Sequence, residues 1–251
     1  NQKMGKVEVY KVTADGSSTP MNGVVFGVYD AKTDKEIARI TTDKNGYGFV
    51  YVLAGNYYLK EISTWQGYAV SPDKIAVTGV ANGVVYTFRE KNDTTTTKIQ
   101  KTNTAGTTLA GMHFTVTDAE TGKLVEMFYD QSRAAYVALV SDKIKAPQNA
   151  VIVTEGVTGA DGSTQVLGLL AGHSYVFSEI VAPDGYNNDS KPVTITIGTS
   201  SDVLGTARFV DSLITVKTGE TSSPLLTMLG AGFAGVALIM AAVLIYKKRH
   251  A

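Results

Sequence analysis

Two lysines and three carboxylates stand where apolar side chains are expected. Side chains alternate faces along a strand, so Lys11 shares a face with Val7 and Val9, and Lys101 shares one with Ile99. The same count sets Glu61 with Tyr57 and Leu59, Glu179 with Tyr175 and Phe177, and Asp211 with Ala207 and Phe209. All five are therefore expected to point into a core. Burying an unpaired charge is costly: a buried acid has its pKa pushed up and a buried lysine has it pushed down. A neutral lysine is a nucleophile.

The elements that must position these groups are short runs rich in Val, Ile, Tyr, Phe and Thr. Turn signals break them, among them Asp15-Gly16, Asn45-Gly46, Asp161-Gly162 and Asp184-Gly185. No stretch before the C-terminal apolar run keeps a helical period. The runs also occur twice. Lys11, Asn22-Gly23-Val24-Val25-Phe26, Leu53-Ala54-Gly55, Glu61 and Gly67-Tyr68 recur in order as Lys101, Ala110-Gly111-Met112-His113-Phe114, Leu170-Ala171-Gly172, Glu179 and Gly185-Tyr186. The fold class is therefore all-β, with two β-sandwiches in tandem. Residues 1–92 form the first, 93–97 a Thr-rich linker and 98–214 the second. An insertion near 124–153 lengthens the second copy, and Ala134–Ser141 and Ala150–Thr154 read as extra strands within it.

The C-terminal stretch sets the location. Leu225 to Tyr246 carries no charged residue and matches the ~20 residues that cross a bilayer as a helix. Glycines at 230, 232 and 235 suit a membrane helix better than a soluble one. The basic tail 247–251, with Lys247, Lys248 and Arg249, belongs on the cytoplasmic side, which leaves everything before residue 220 outside the cell. Lys plus Arg and Asp plus Glu number 23 each, and no basic cluster precedes the tail, so nucleic acid is excluded as a partner. The chain has no cysteine, so its sandwiches need a staple other than a disulfide or a large core. His113, His173 and His250 lack metal-ligand spacing, and no cofactor or hydrolase nucleophile is implied. Trp65 and the tyrosines are expected to pack in cores and on strand faces. Asn1 is preceded by neither Met nor a signal peptide, so the chain reads as the C-terminal part of a longer precursor.

Thr215-Val216-Lys217-Thr218-Gly219, followed by the span and the basic tail, resembles the sorting signal of Gram-positive surface proteins. The resemblance implies that a sortase cleaves between Thr218 and Gly219 and joins Thr218 to a peptidoglycan precursor or a pilin lysine. Thr215 and Val216 stand where that signal carries Leu and Pro, which favours a pilus-associated sortase. The domains resemble the Cna B-type (SpaA-like, prealbumin-like) domains of Gram-positive adhesins and pilins, most specifically in Glu179-Ile180-Val181-Ala182-Pro183-Asp184-Gly185-Tyr186. That family implies an intramolecular isopeptide bond from a first-strand lysine to a last-strand Asn or Asp, assisted by a buried Glu. Carried over, Lys101 attacks Asp211 with Glu179 relaying protons, and Lys11 pairs with Glu61 as its relay. The first copy's acceptor is either Glu90, read as lying in the register of Asp211, or Asn92 two residues on. Lys143 and Lys145 do not reproduce the family's polymerisation motif, and Asn1 would suit the last strand of a further domain upstream. The implied protein is a wall-anchored or pilus-forming stalk with neighbouring pilin subunits as partners. An adhesin that binds a host ligand directly, anchored permanently in the membrane, is the alternative.

Overall fold

Val7, Val9 and Lys11 all have 0% exposure, while Lys6 and Tyr10 on the opposite face are half-buried. This period-two burial defines β1 (Met4–Thr13), which lies against β4 (Tyr47–Leu53) on one side and β7 (Val85–Asn92) on the other. The facing sheet follows the order β3-β2-β5-β6, from β2 (Val25–Asp30), β3 (Glu36–Thr41), β5 (Gly55–Ser63) and β6 (Lys74–Val80). Phe26, Val28, Ile40, Leu59 and Val77 fill the space between. A computed structural model describes residues 4–215 of the chain. Asn1, the span 225–246 and the tail 247–251 lie outside the described residues. Among the described residues no helix is long and apolar enough to cross a membrane.

The second copy repeats this plan. Its central strand β8 (Thr96–Asn103) and its last strand β17 (Gly205–Asp211) belong to a sheet of order β12-β10-β11-β14-β8-β17. The other members are β10 (Met127–Asp130), β11 (Ala135–Ala138), β12 (Ile152–Val153) and β14 (Ser163–Leu167). Its facing sheet, β13-β9-β15-β16, is built from β9 (His113–Asp118), β13 (Glu155–Val157), β15 (Ser174–Val181) and β16 (Val193–Thr196). The insertion thus widens one sheet by β10, β11 and β12. In both copies the first and last strands are parallel neighbours, β1 with β7 and β8 with β17.

The insertion also joins the copies. All four residues of β11 are buried, because its two faces serve different cores. Ala135 and Val137 pack into the core of the first sandwich, together with Phe128, Ile144 and Leu167. Tyr136 and Ala138 pack into the second. Polar contacts reinforce the joint: Val70 N–H donates to Thr199 O at 3.0 Å, Ser201 N–H to Val70 O at 2.9 Å, and Ser141 Oγ to Gln66 O at 2.6 Å. Residues 93–97, expected as a linker, are mostly interior. Thr94, Thr95 and Thr97 are 5%, 3% and 1% exposed, and Thr96 already begins β8. Thr95 N–H donates to Gly67 O at 3.0 Å and its hydroxyl to Leu169 O at 2.5 Å, so its polar groups are satisfied without solvent.

Candidate functional site

Turns pressed against the main chain set the position of each lysine. Lys11 N–H donates to Gly46 O at 2.7 Å, and Lys101 N–H to Gly162 O at 2.8 Å. Both glycines have positive φ, 71° and 72°, and a Cβ on either would come within 2.2 Å of Lys11 O or 2.8 Å of Lys101 O. Only glycine fits, for conformational and steric reasons together. Asp43 and Asp161 tighten these turns by accepting backbone N–H groups, from Asn45 at 2.9 Å and from Ser163 at 2.9 Å.

In the second sandwich, Lys101 and Asp211 are both 0% exposed and Glu179 is 9% exposed. Lys101 Nζ donates to Glu179 Oε2 at 2.8 Å and lies 2.6 Å from Asp211 Oδ2. The second contact is close but out of hydrogen-bond alignment, so Asp211 Oδ2 has no hydrogen-bond partner, and neither has Glu179 Oε1. Burial pushes the Glu179 carboxyl above the ordinary carboxylate range. The hydrogen bond from Lys101 opposes the rise, and the neighbouring Asp211 charge adds to it.

In the first sandwich, Glu61 holds two partners at once. Lys11 Nζ lies 3.3 Å from its Oε2, and Asn92 Nδ2 donates to its Oε1 at 2.5 Å. Asn92 Nδ2 also donates to Thr64 Oγ1 at 2.8 Å, and Ser71 N–H donates to Glu61 Oε2 at 3.0 Å. Lys11, Glu61 and Asn92 are 0%, 2% and 2% exposed. Burial pulls the Lys11 pKa below its ordinary 10.5, against the opposing pull of Glu61.

The cross-strand register corrects the placement of Glu90. Lys101 lies opposite Phe209, with Asp211 opposite Asn103 two residues on. Lys11 lies opposite Glu90, with Asn92 opposite Thr13. Asn92, not Glu90, therefore holds the place of Asp211. Glu90 stays half-buried, its carboxyl pushed up by burial, and among the described residues no ion pair joins it to Lys11. Sequence reasoning missed Thr64 and Ser190, the hydroxyls at the two acceptors, because both sit in irregular segments between strands. Thr215 is exposed at the end of the described chain, and Val216, Lys217, Thr218 and Gly219 lie beyond it. Away from these sites, His113 pairs with Glu155, Lys143 Nζ lies over the Trp65 ring, and Trp65 packs edge-on against Tyr68.

The Lys11 pKa has a measurable consequence in an Asn92→Ala variant, where no amide can form at that acceptor. Between the folded Lys11 pKa and 10.5 the unfolded chain binds more protons than the folded one, so stability rises with pH across that window. The urea midpoint of Asn92→Ala should therefore climb toward pH 10.5 relative to Asn92→Ala/Lys11→Met. Parallel pH profiles for the two variants would contradict the assignment.

Two β-sandwiches in tandem thus repeat one arrangement, a buried lysine on the first strand and a buried glutamate from the facing sheet beside a carboxyl or carboxamide on the last strand. The chain belongs to the SpaA prealbumin-like fold domain family, whose model matches residues 5–94 and again 95–208. A stretch of 128 residues is 33% identical to the trypsin-resistant surface T6 protein of Streptococcus pyogenes serotype M6, covering 47% of this chain and 23% of that protein. The chain thus spans less than a quarter of that relative. Among solved structures it is similar to the minor pilin GBS52 of Streptococcus agalactiae, at 16% identity and TM-score 0.38, with 87% of this chain and 100% of that one covered. It is also similar to the shaft pilin SpaA of Lactobacillus rhamnosus GG, at 14% identity and TM-score 0.36, with 86% and 99% covered.

Proposed function

We propose that this chain is a pilin or wall-anchored stalk subunit of a Gram-positive surface, stapled by one isopeptide bond in each sandwich. The reading rests on the buried contact of Lys101 with Asp211 across two parallel neighbouring strands and with Glu179 from the facing sheet. Three ionisable groups in one core are costly unless paired or consumed. Amide formation removes two of the charges and supplies the staple that the cysteine-free chain lacks.

In the second sandwich, Lys101 Nζ forms a bond to Asp211 Cγ and the Cγ–Oδ2 bond breaks. Of the three ammonium protons, one remains on the amide nitrogen and two leave with Oδ2 as water. Glu179 relays them and ends as it began. In the first sandwich, Asn92 loses its nitrogen as ammonia, with Glu61 bridging the nucleophile and the leaving group. The fold holds the reacting atoms adjacent, which supplies the proximity the reaction needs. After folding outside the cell, a sortase cleaves between Thr218 and Gly219 and joins Thr218 to a peptidoglycan precursor or to a lysine of a neighbouring pilin subunit. The membrane span holds the chain until then.

Intact-mass measurement of the denatured full chain tests this directly. The expected deficit is one water plus one ammonia, and the full calculated mass would overturn the reading. Direct binding of a host ligand has one feature in its favour, the outward aromatic row of Tyr47, Phe49 and Tyr51 on β4, where Phe49 and Tyr51 are 48% and 54% exposed. Such binding is compatible with a stapled stalk.

A further inference from the structure

The two oxygens of Asp211 sit in opposite environments. Oδ2 faces Lys101 Nζ without a hydrogen bond, whereas Oδ1 is the target of two donors. Ser190 Oγ donates to it at 2.9 Å, and the backbone N–H of Asp189 donates at 3.3 Å. Ser190 Oγ in turn accepts from Val210 N–H at 3.0 Å and from Lys101 Nζ at 3.2 Å; its one proton has two acceptors in reach, of which Oδ1 at 2.9 Å is nearer than Val210 O at 3.2 Å.

The segment is also pinned from outside the site. Asp189 accepts at Oδ2 from Ser212 N–H at 3.0 Å and from the Ser212 hydroxyl. Asn187 N–H donates to Ser212 O at 2.9 Å, and Asn187 Nδ2 donates to Ser212 Oγ at 3.1 Å. Residues 187–190 are thus clamped onto the chain beside Asp211 before any reaction, as an oxyanion-stabilising site requires. In the first sandwich, among the described residues, no donor is placed on Asn92 Oδ1 in this way: there the hydroxyl, Thr64 Oγ1, accepts from the nitrogen that would leave.

Taking the Lys101–Asp211 bond as read above, we infer that Ser190 and the Asp189 N–H form an oxyanion hole for its formation. When Nζ adds to Cγ, negative charge develops on Oδ1, and the two donors stabilise it there. Oδ1 is retained as the amide oxygen, while Oδ2, unheld by any donor, takes two protons and departs as water. Ser190 is on this view a catalytic residue of the second sandwich, and the two sandwiches close by different routes: the hydroxyl serves the retained oxygen in one and the leaving nitrogen in the other.

The test is a time course. The full chain, collected unfolded in denaturant and refolded by dilution into detergent, is sampled by intact mass for the loss of water. Ser190→Ala should slow that loss by ~10²-fold or more, the usual effect of removing one oxyanion donor. Ser190→Thr, which keeps the hydroxyl, should restore the rate. A purely structural role is separated by measuring thermal midpoints in a Glu179→Gln background: the lost hydrogen bonds lower the midpoint of Ser190→Ala, and the water-loss rates are compared at a temperature well below both midpoints, where both variants are folded. If Ser190→Ala does not fold, Ser190→Cys replaces it, since a thiol is a weak donor of similar size, and it should fold yet bond slowly. Native-rate water loss in either folded variant would overturn the inference and leave the bond itself standing. A native chain that never loses water would instead overturn the function on which the inference rests.

Discussion

Glu179→Gln is expected to yield a folded second sandwich that stays one water heavier than the native chain and melts on the order of 10–20 °C lower. The substitution keeps the volume of the side chain and its contact with Lys101, but an amide cannot relay the protons that must pass from Nζ to Oδ2. Loss of a positioned general acid and base slows such a step by ~10²–10⁴-fold. The stability effect follows from topology. A bond from Lys101 to Asp211 closes a loop of about 110 residues, and by analogy with a disulfide that closure is worth ~4.7 kcal/mol through the unfolded state. Calorimetry and intact mass on the same sample check both halves, and a variant as light and as stable as native would refute the role of Glu179.

Ile144→Asp should separate the melting of the two sandwiches. Ile144 is 8% exposed and lies where a Cβ on Gly67 would be 2.9 Å from its Cδ1 and one on Gly168 2.5 Å. A carboxylate in so close a packing loses its water, and an uncompensated buried charge costs ~3–5 kcal/mol. The cost falls on the joint, since Ile144 comes from the insertion of the second copy yet packs in the core of the first. The expected calorimetric trace has two transitions where the native chain has one, with Ile144→Val changing stability by only ~1 kcal/mol. A single, unshifted transition in Ile144→Asp would mean that the joint contributes little.

Strand alternation alone makes Lys11, Lys101, Glu61, Glu179 and Asp211 legible as inward groups, because a period of two needs no knowledge of neighbours. Alternation cannot choose between Glu90 and Asn92, which lie two apart on one face. That choice depends on how β7 registers against β1, a property of the pair of strands. Ser190 and Thr64 escape for a related reason: their segments have no period, and only tertiary packing brings them to the acceptors. The Thr-rich stretch 93–97 was expected to be a linker from its composition. Threonine is equally at home in strands, and here Arg133 of the insertion donates to Asp93 and Thr94 while Leu169 O takes the Thr95 hydroxyl. Strands β11 and β12 fall within the expected runs Ala134–Ser141 and Ala150–Thr154, whereas β10 is too short to display a period before its partner is known.

The parallel pairing of first and last strands has a topological consequence for proteolysis. With both amides in place the chain is two closed rings in series, one from Lys11 to Asn92 and one from Lys101 to Asp211. A protease that cuts any loop inside a ring opens the ring without parting the molecule, because the amide still bridges the cut. Only the stretch between the rings, residues 93–100, can sever one sandwich from the other. There Thr94, Thr95, Thr97 and Ile99 are buried, and β8 is flanked by strands on both sides. The one segment whose cleavage would divide the two sandwiches is thus the segment the fold hides.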